Sequence, residues 1–86
     1  MIEITTPNSE QLSEAKSWPV WEKEPSSFDW DYEQKEVFYI LEGEAQVTMP
    51  NGQVHHLKGN DLVTIEKCGT VQWQITKLIR KHYVFD

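Results

Sequence analysis

The chain is poor in the residues that most often tie a small protein to a metal, a membrane or a nucleic acid. It has one cysteine, Cys68, so no internal disulfide can form, which fits a reducing compartment. Eight basic residues face fourteen acidic ones, giving a net charge of −6. Binding phosphates needs a basic surface, so a nucleic-acid partner is excluded, and an anionic membrane surface is disfavoured for the same reason. No apolar run approaches the roughly 20 residues that span a bilayer. The opening "MIEITTPNSE" has neither the basic start nor the apolar stretch of a secretion signal. A cytoplasmic location is the expectation. Histidines number only three: His55, His56 and His82. His55 and His56 are adjacent and would point to opposite faces of a strand, so they cannot share a site.

What the chain does have is aromatic area. Ten of 86 residues are Trp, Tyr or Phe, four of them Trp. A domain of this size buries only roughly 60–65% of its unfolded surface, so large side chains must carry its core. The length implies a single domain over residues 1–86. Residues 1–27 read as an N-terminal arm with a short helix. Asn8 or Ser9 can cap it, Gln11 sits at the capping-box position if Asn8 does, and Pro19 limits its extent.

From residue 28 to 86 the pattern is β throughout. "EVFYILEGEAQVTM" is rich in strand formers and broken at Gly43, where a turn or bulge is expected. Ala45, Val47 and Met49 then share one face. Asn51-Gly52 predicts a hairpin turn. "VHHL", "LVTIE", "VQWQITK" and "LIRKHYVFD" follow as further strands, separated by turn signals. Turns at such regular intervals predict an all-β sandwich or barrel.

The spacing of several residues resembles a known family. Glu36 and Gly43 in "EVFYILEGE" match the second half of the motif His-x-His-x(3,4)-Glu-x(6)-Gly, the first motif of the cupins. Gly59-Asn60-Asp61 partly matches the Gly-Asp turn that begins their second motif. Trp18-Pro19-Val20-Trp21-Glu22, Phe28-Asp29-Trp30-Asp31-Tyr32, Trp73 and Arg80-Lys81-His82-Tyr83 resemble one branch in particular, the cupin domain of ureidoglycine aminohydrolase. The resemblance implies a jelly-roll barrel of two packed antiparallel sheets. It also implies a site inside the barrel where three His and one Glu hold Mn, Fe, Ni or Zn.

Here the ligand positions are changed. With the shorter motif spacing the two histidines fall on Trp30 and Tyr32; with the longer one they fall on Asp29 and Asp31. The last histidine falls on Val71. The aspartates share the face opposite Phe28, Trp30 and Tyr32, and placing them inward would leave three aromatics outside. Glu36 alone remains as a ligand, so no metal or other cofactor is expected at the inherited position.

What remains is Glu36 among aromatic rings. Trp30, Tyr32 and Trp73 are expected to line the space around it. Lost hydration would favour the protonated carboxyl, making Glu36 a candidate catalytic acid or base, or an anchor for a ligand amine or hydroxyl. It can also bond the Tyr32 hydroxyl or Lys81. On the last strand Lys81 and Tyr83 share a face, with Arg80 and His82 on the other, and one of these pairs could meet an anionic ligand group at the barrel mouth. Lys67 beside Cys68 is a weak reason to expect an activated thiol.

These residues support a small-molecule-binding cupin without the usual metal, catalytic through Glu36 if it is an enzyme. The partner would be a small polar or planar metabolite. Two rival readings stand beside it: a metal-dependent enzyme acting on a ureide-like metabolite, and a non-catalytic binding or regulatory module. The strand edges of an open jelly roll also suggest a homodimer.

Overall fold

The computed structural model describes residues 1–86 and shows a seven-stranded antiparallel sheet with one helix. The strands are β1 (Ile2–Thr5), β2 (Val20–Lys23), β3 (Ser26–Tyr32), β4 (Glu36–Thr48), β5 (Val54–Lys58), β6 (Leu62–Ile65) and β7 (Gly69–Phe85). The helix α1 spans Ser9–Ala15. Two long strands organise the rest. β7 pairs with β4 along its length, and on its other edge takes β3 and then β2. β4 in turn takes β6 and then β5. The two sheets expected from the sequence are thus joined through β4 and β7 into one continuous barrel wall.

The structure differs from the sequence reading in three places. Residues 1–27, read as an arm with a short helix, carry two strands besides that helix: β1 pairs with β6, and β2 pairs with β7 from Val20↔His82 to Lys23↔Ile79. Four-residue edge strands are too short to show a clear alternation. The last two predicted strands are one, because "TKL" between them carries neither glycine nor proline to stop the ladder. The hairpin at Asn51-Gly52 forms, yet only Gly52 of the pair has a positive φ. Pro50 favours a type I turn, closed by the Gly52 N–H donating to the Met49 carbonyl, with glycine supplying the left-handed residue after it.

Local rules account for the other elements. Asn8 caps α1, its side chain accepting from the Gln11 N–H while the Gln11 side chain accepts from the Asn8 N–H. Asn60, where the cupin turn carries glycine, is left-handed with φ 77°, a conformation Asn tolerates better than most residues. The helix covers the outer face of the sheet, burying Ala15 against Tyr39 and Leu62 with Trp18 alongside.

The main core is inside the barrel and includes Phe38, Ile40, Ala45, Val47, Ile65, Val71, Trp73 and Ile79. Its members on β4 change parity, from even numbers before Gly43 to odd numbers after it. The cause is a bulge, seen as shifts in the β4–β7 register between Ile40 and Ala45. Without the extra residue Ala45, Val47 and Met49 would turn outward. Gly43 has φ 110°, and a Cβ there would lie 2.0 Å from the Leu78 carbonyl oxygen.

Gly43→Ala should therefore cost about 3 kcal/mol or more, through backbone strain and collision together. Gly52→Ala, with a positive φ but open space around it, should cost only about 1–2 kcal/mol. Urea denaturation of both variants checks this; equal losses would show that the bulge does not depend on glycine.

Candidate functional site

Glu36 opens β4, facing inward like Phe38 and Ile40. Tyr32 ends β3 four residues earlier, and Lys81 lies on β7 between Ile40 of β4 and Trp21 of β2. Three strands thereby bring a carboxylate, a phenol and an ammonium to one point. Lys81 Nζ donates to Glu36 Oε2 at 2.9 Å, and the Tyr32 hydroxyl donates to Glu36 Oε1 at 2.7 Å. The Lys81 and Glu36 side chains are only 6% and 4% exposed. The ammonium also lies over three rings, 4.1 Å from the centroid of Phe38 and 4.9 Å from those of Trp21 and Trp73.

Burial sets the protonation behaviour. Desolvation draws the Lys81 ammonium below the usual lysine range, and the attraction of Glu36 opposes it. Desolvation, and next the charge of Glu36, push the Tyr32 hydroxyl far above the usual phenol range. Tyr32 therefore stays a donor to the carboxylate at any ordinary pH.

Above this group lies a cleft of ≈ 110 Å³. Six of the residues singled out from the sequence line it: Glu36, Trp30, Tyr32, Trp73, Lys81 and Tyr83. Trp30 is 47% exposed and marks the rim, where it stacks on Phe85. Phe28 stacks on Trp73 at 6.0 Å between centroids, and Trp21 meets Phe28 edge-on. Trp21, Phe28 and Phe85 also line the cleft but were not picked out as ligand contacts. Phe28 and Phe85 share the parity of Trp30 and Tyr83, so alternation could have found them. Trp21 enters only through its pairing with Lys81, which no local pattern reveals.

The remaining candidates lie elsewhere. Asp29 and Asp31 are exposed, as the alternation required, and Asp31 accepts from the Thr70 hydroxyl. Arg80 faces outward between Glu22 and Glu42, at 2.9 and 2.7 Å. His82 Nδ1 is 2.8 Å from the Trp18 carbonyl, and the buried Nε2 of His55 has no partner. Burial pushes the Cys68 thiol up, the opposite of what an activated nucleophile needs.

The residues present do not fit the metal of the cupin fold. No three His, Cys, Asp or Glu side chains gather anywhere in the chain in a way that could hold an ion. Glu36, the one inherited ligand, already faces an ammonium that would repel a second cation.

A barrel of this topology with an inward Glu on its fourth strand defines a cupin. Residues 10–83 match the EutQ-like cupin domain, and the chain belongs to that family. It is 40% identical to a DUF861-family protein from Thermotoga maritima, with a TM-score of 0.94 and all of both chains covered. It resembles the EutQ protein of Clostridium difficile at 23% identity and a TM-score of 0.68, covering 77% of this chain and 52% of that one. A putative ethanolamine utilization protein Q from Salmonella typhimurium gives 21% identity and a TM-score of 0.69, over 98% of this chain and 68% of that one. These last two share the fold. No curated protein matches.

Two outcomes test the buried group. Lys81→Met leaves Glu36 as an unpaired buried charge and should cost about 3–5 kcal/mol, while Lys81→Met combined with Glu36→Gln should recover a good part of it. A double variant no more stable than Lys81→Met would show that the charges do not interact. Tyr32 in the unfolded chain ionises near pH 10.0, whereas the folded protein keeps this proton to higher pH. Its contribution is thus complete below that pH and falls above it, by about 1.4 kcal/mol per pH unit. Tyr32→Phe should remove that slope from urea midpoints measured between about pH 9 and 11; an unchanged slope would assign it to another group.

Proposed function

We propose that this protein is a small-molecule-binding cupin whose ligand sits in the aromatic cleft, anchored by the Glu36–Lys81–Tyr32 group in place of a metal. The observation that carries this reading is a buried ion pair at the floor of an open, aromatic-walled cleft. Such a pair contributes little to stability compared with apolar side chains of similar volume, so stability alone is a weak account of it.

The site also indicates what it would take. Its volume, ≈ 110 Å³, is far below the roughly 300–1,000 Å³ of sites for drug-sized ligands, which points to a small metabolite. Flat rings on the walls favour a planar one. Glu36 neutralises Lys81, so the floor has no net charge to attract an anion. Lone pairs on Glu36 and the remaining Lys81 N–H groups instead suit a neutral molecule with both a donor and an acceptor. Ureides have this character, and the resemblance of the tryptophan and Arg-Lys-x-Tyr motifs to ureidoglycine aminohydrolase supports screening them first. If a reaction follows binding, Glu36 is the acid or base placed to serve it.

A panel of small neutral planar amides, ureides and hydroxy compounds should contain members that raise the melting temperature. At a hundred times Kd the gain is about 2.7 kcal/mol. Trp30→Ala, at the exposed rim, should weaken that binding while costing about 1–2 kcal/mol of stability through the lost stacking on Phe85. A panel without a single stabilising compound would leave the surface, rather than the cleft, as the place of function.

A further inference from the structure

Lys81 combines features that anchoring a ligand does not require. Its side chain is only 6% exposed, yet the residue lines the cleft. A carboxylate oxygen lies 2.9 Å from it, able to take a proton and return it. The Tyr32 hydroxyl holds the other oxygen of that carboxylate, which fixes its orientation. Desolvation in an apolar pocket is one of the ways proteins turn a lysine into a nucleophile.

We infer that Lys81 is a covalent site for a small aldehyde or ketone, which it captures as an imine with Glu36 acting as the proton shuttle. This rests on the cleft being the ligand site and goes beyond it by naming a reactive group and a substrate class. The ammonium passes one proton to Glu36 Oε2, leaving a neutral amine. The nitrogen lone pair forms a bond to the carbonyl carbon as the C=O π pair moves to oxygen, and a proton shift from nitrogen to oxygen gives the carbinolamine. Glu36 then returns its proton to that hydroxyl. The C–O bond breaks, water leaves, and a protonated imine remains beside the carboxylate.

The balance is one carbonyl compound bound and one water released, with no oxidant or reductant. Charge is conserved as well: an ammonium beside a carboxylate becomes an iminium beside the same carboxylate. The rings of Phe38, Trp21 and Trp73 that hold the first cation can hold the second. The aromatic walls also limit the water that would reverse the reaction.

The test is reductive trapping of the whole protein at neutral pH. Acetaldehyde or benzaldehyde is added with cyanoborohydride, and the labelled lysines are identified by peptide mass spectrometry. Lys81 should be alkylated faster than each of the other six lysines, none of which is buried. Its label should be absent from a folded Lys81→Met, Glu36→Gln double variant. Benzyl alcohol, similar in shape but without a carbonyl, serves as the binding control through quenching of tryptophan fluorescence. If it quenches while Lys81 labels no faster than the exposed lysines, covalent capture is refuted and ligand binding stands. If Lys81 fails to label and neither benzyl alcohol nor benzaldehyde quenches, the cleft fails as a ligand site and both readings fall.

Discussion

An ammonium and a carboxylate 2.9 Å apart, with almost no water around them, constrain the structure from the inside. Either charge alone would be costly to bury, and together they are tolerable only if the geometry is held. Holding it takes three strands: β3 for Tyr32, β4 for Glu36 only four residues later, and β7 for Lys81, 45 residues beyond Glu36. Trp21, which covers the ammonium, brings in β2 as a fourth. The bulge at Gly43 lets the second half of β4 keep its apolar face inward, so that the core continues beyond the site. The fold and the site therefore share their key contacts.

This arrangement also clarifies the relation to other cupins. With the shorter motif spacing, the family's histidines fall where this chain has Trp30, Tyr32 and Val71, and only the glutamate persists. Lys81 supplies a positive charge within the protein itself, 2.9 Å from that glutamate. Membership in the EutQ-like family accordingly fixes the barrel. The chemistry depends on the side chains that line it.

Much of this was legible in the chain. Alternation put Phe28, Trp30 and Tyr32 on one face and Lys81 with Tyr83 on another, and both sets line the cleft. Gly43 marked a turn or bulge, and it is a bulge; Asn8, one of two candidate caps, is the one that pairs with Gln11. These are short-range signals that one strand or turn carries within itself. The strand character of residues 2–5 and 20–23 was not legible, because so short an edge has too few residues to display a period. Nor was the meeting of Lys81 with Trp21, which depends on the pairing of β2 with β7 across about sixty positions. Both oxygens of Glu36 being taken at once was also out of reach, since sequence offered Tyr32 and Lys81 only as separate partners.

The long β7 strand has a kinetic consequence. It is the partner of β2, β3 and β4, so three of the other six strands lack part of their pairing until it arrives. The contacts it makes with β2 close a loop of nearly sixty residues, and those of β1 with β6 close one of similar length. Loop-closure entropy must be met before such contacts return any free energy. A topology dominated by remote pairings folds slowly for its size, on the millisecond-to-second scale rather than in microseconds. On a ribosome, most of the chain would emerge before the strand that binds it together, leaving the apolar faces of β3 and β4 exposed for that interval.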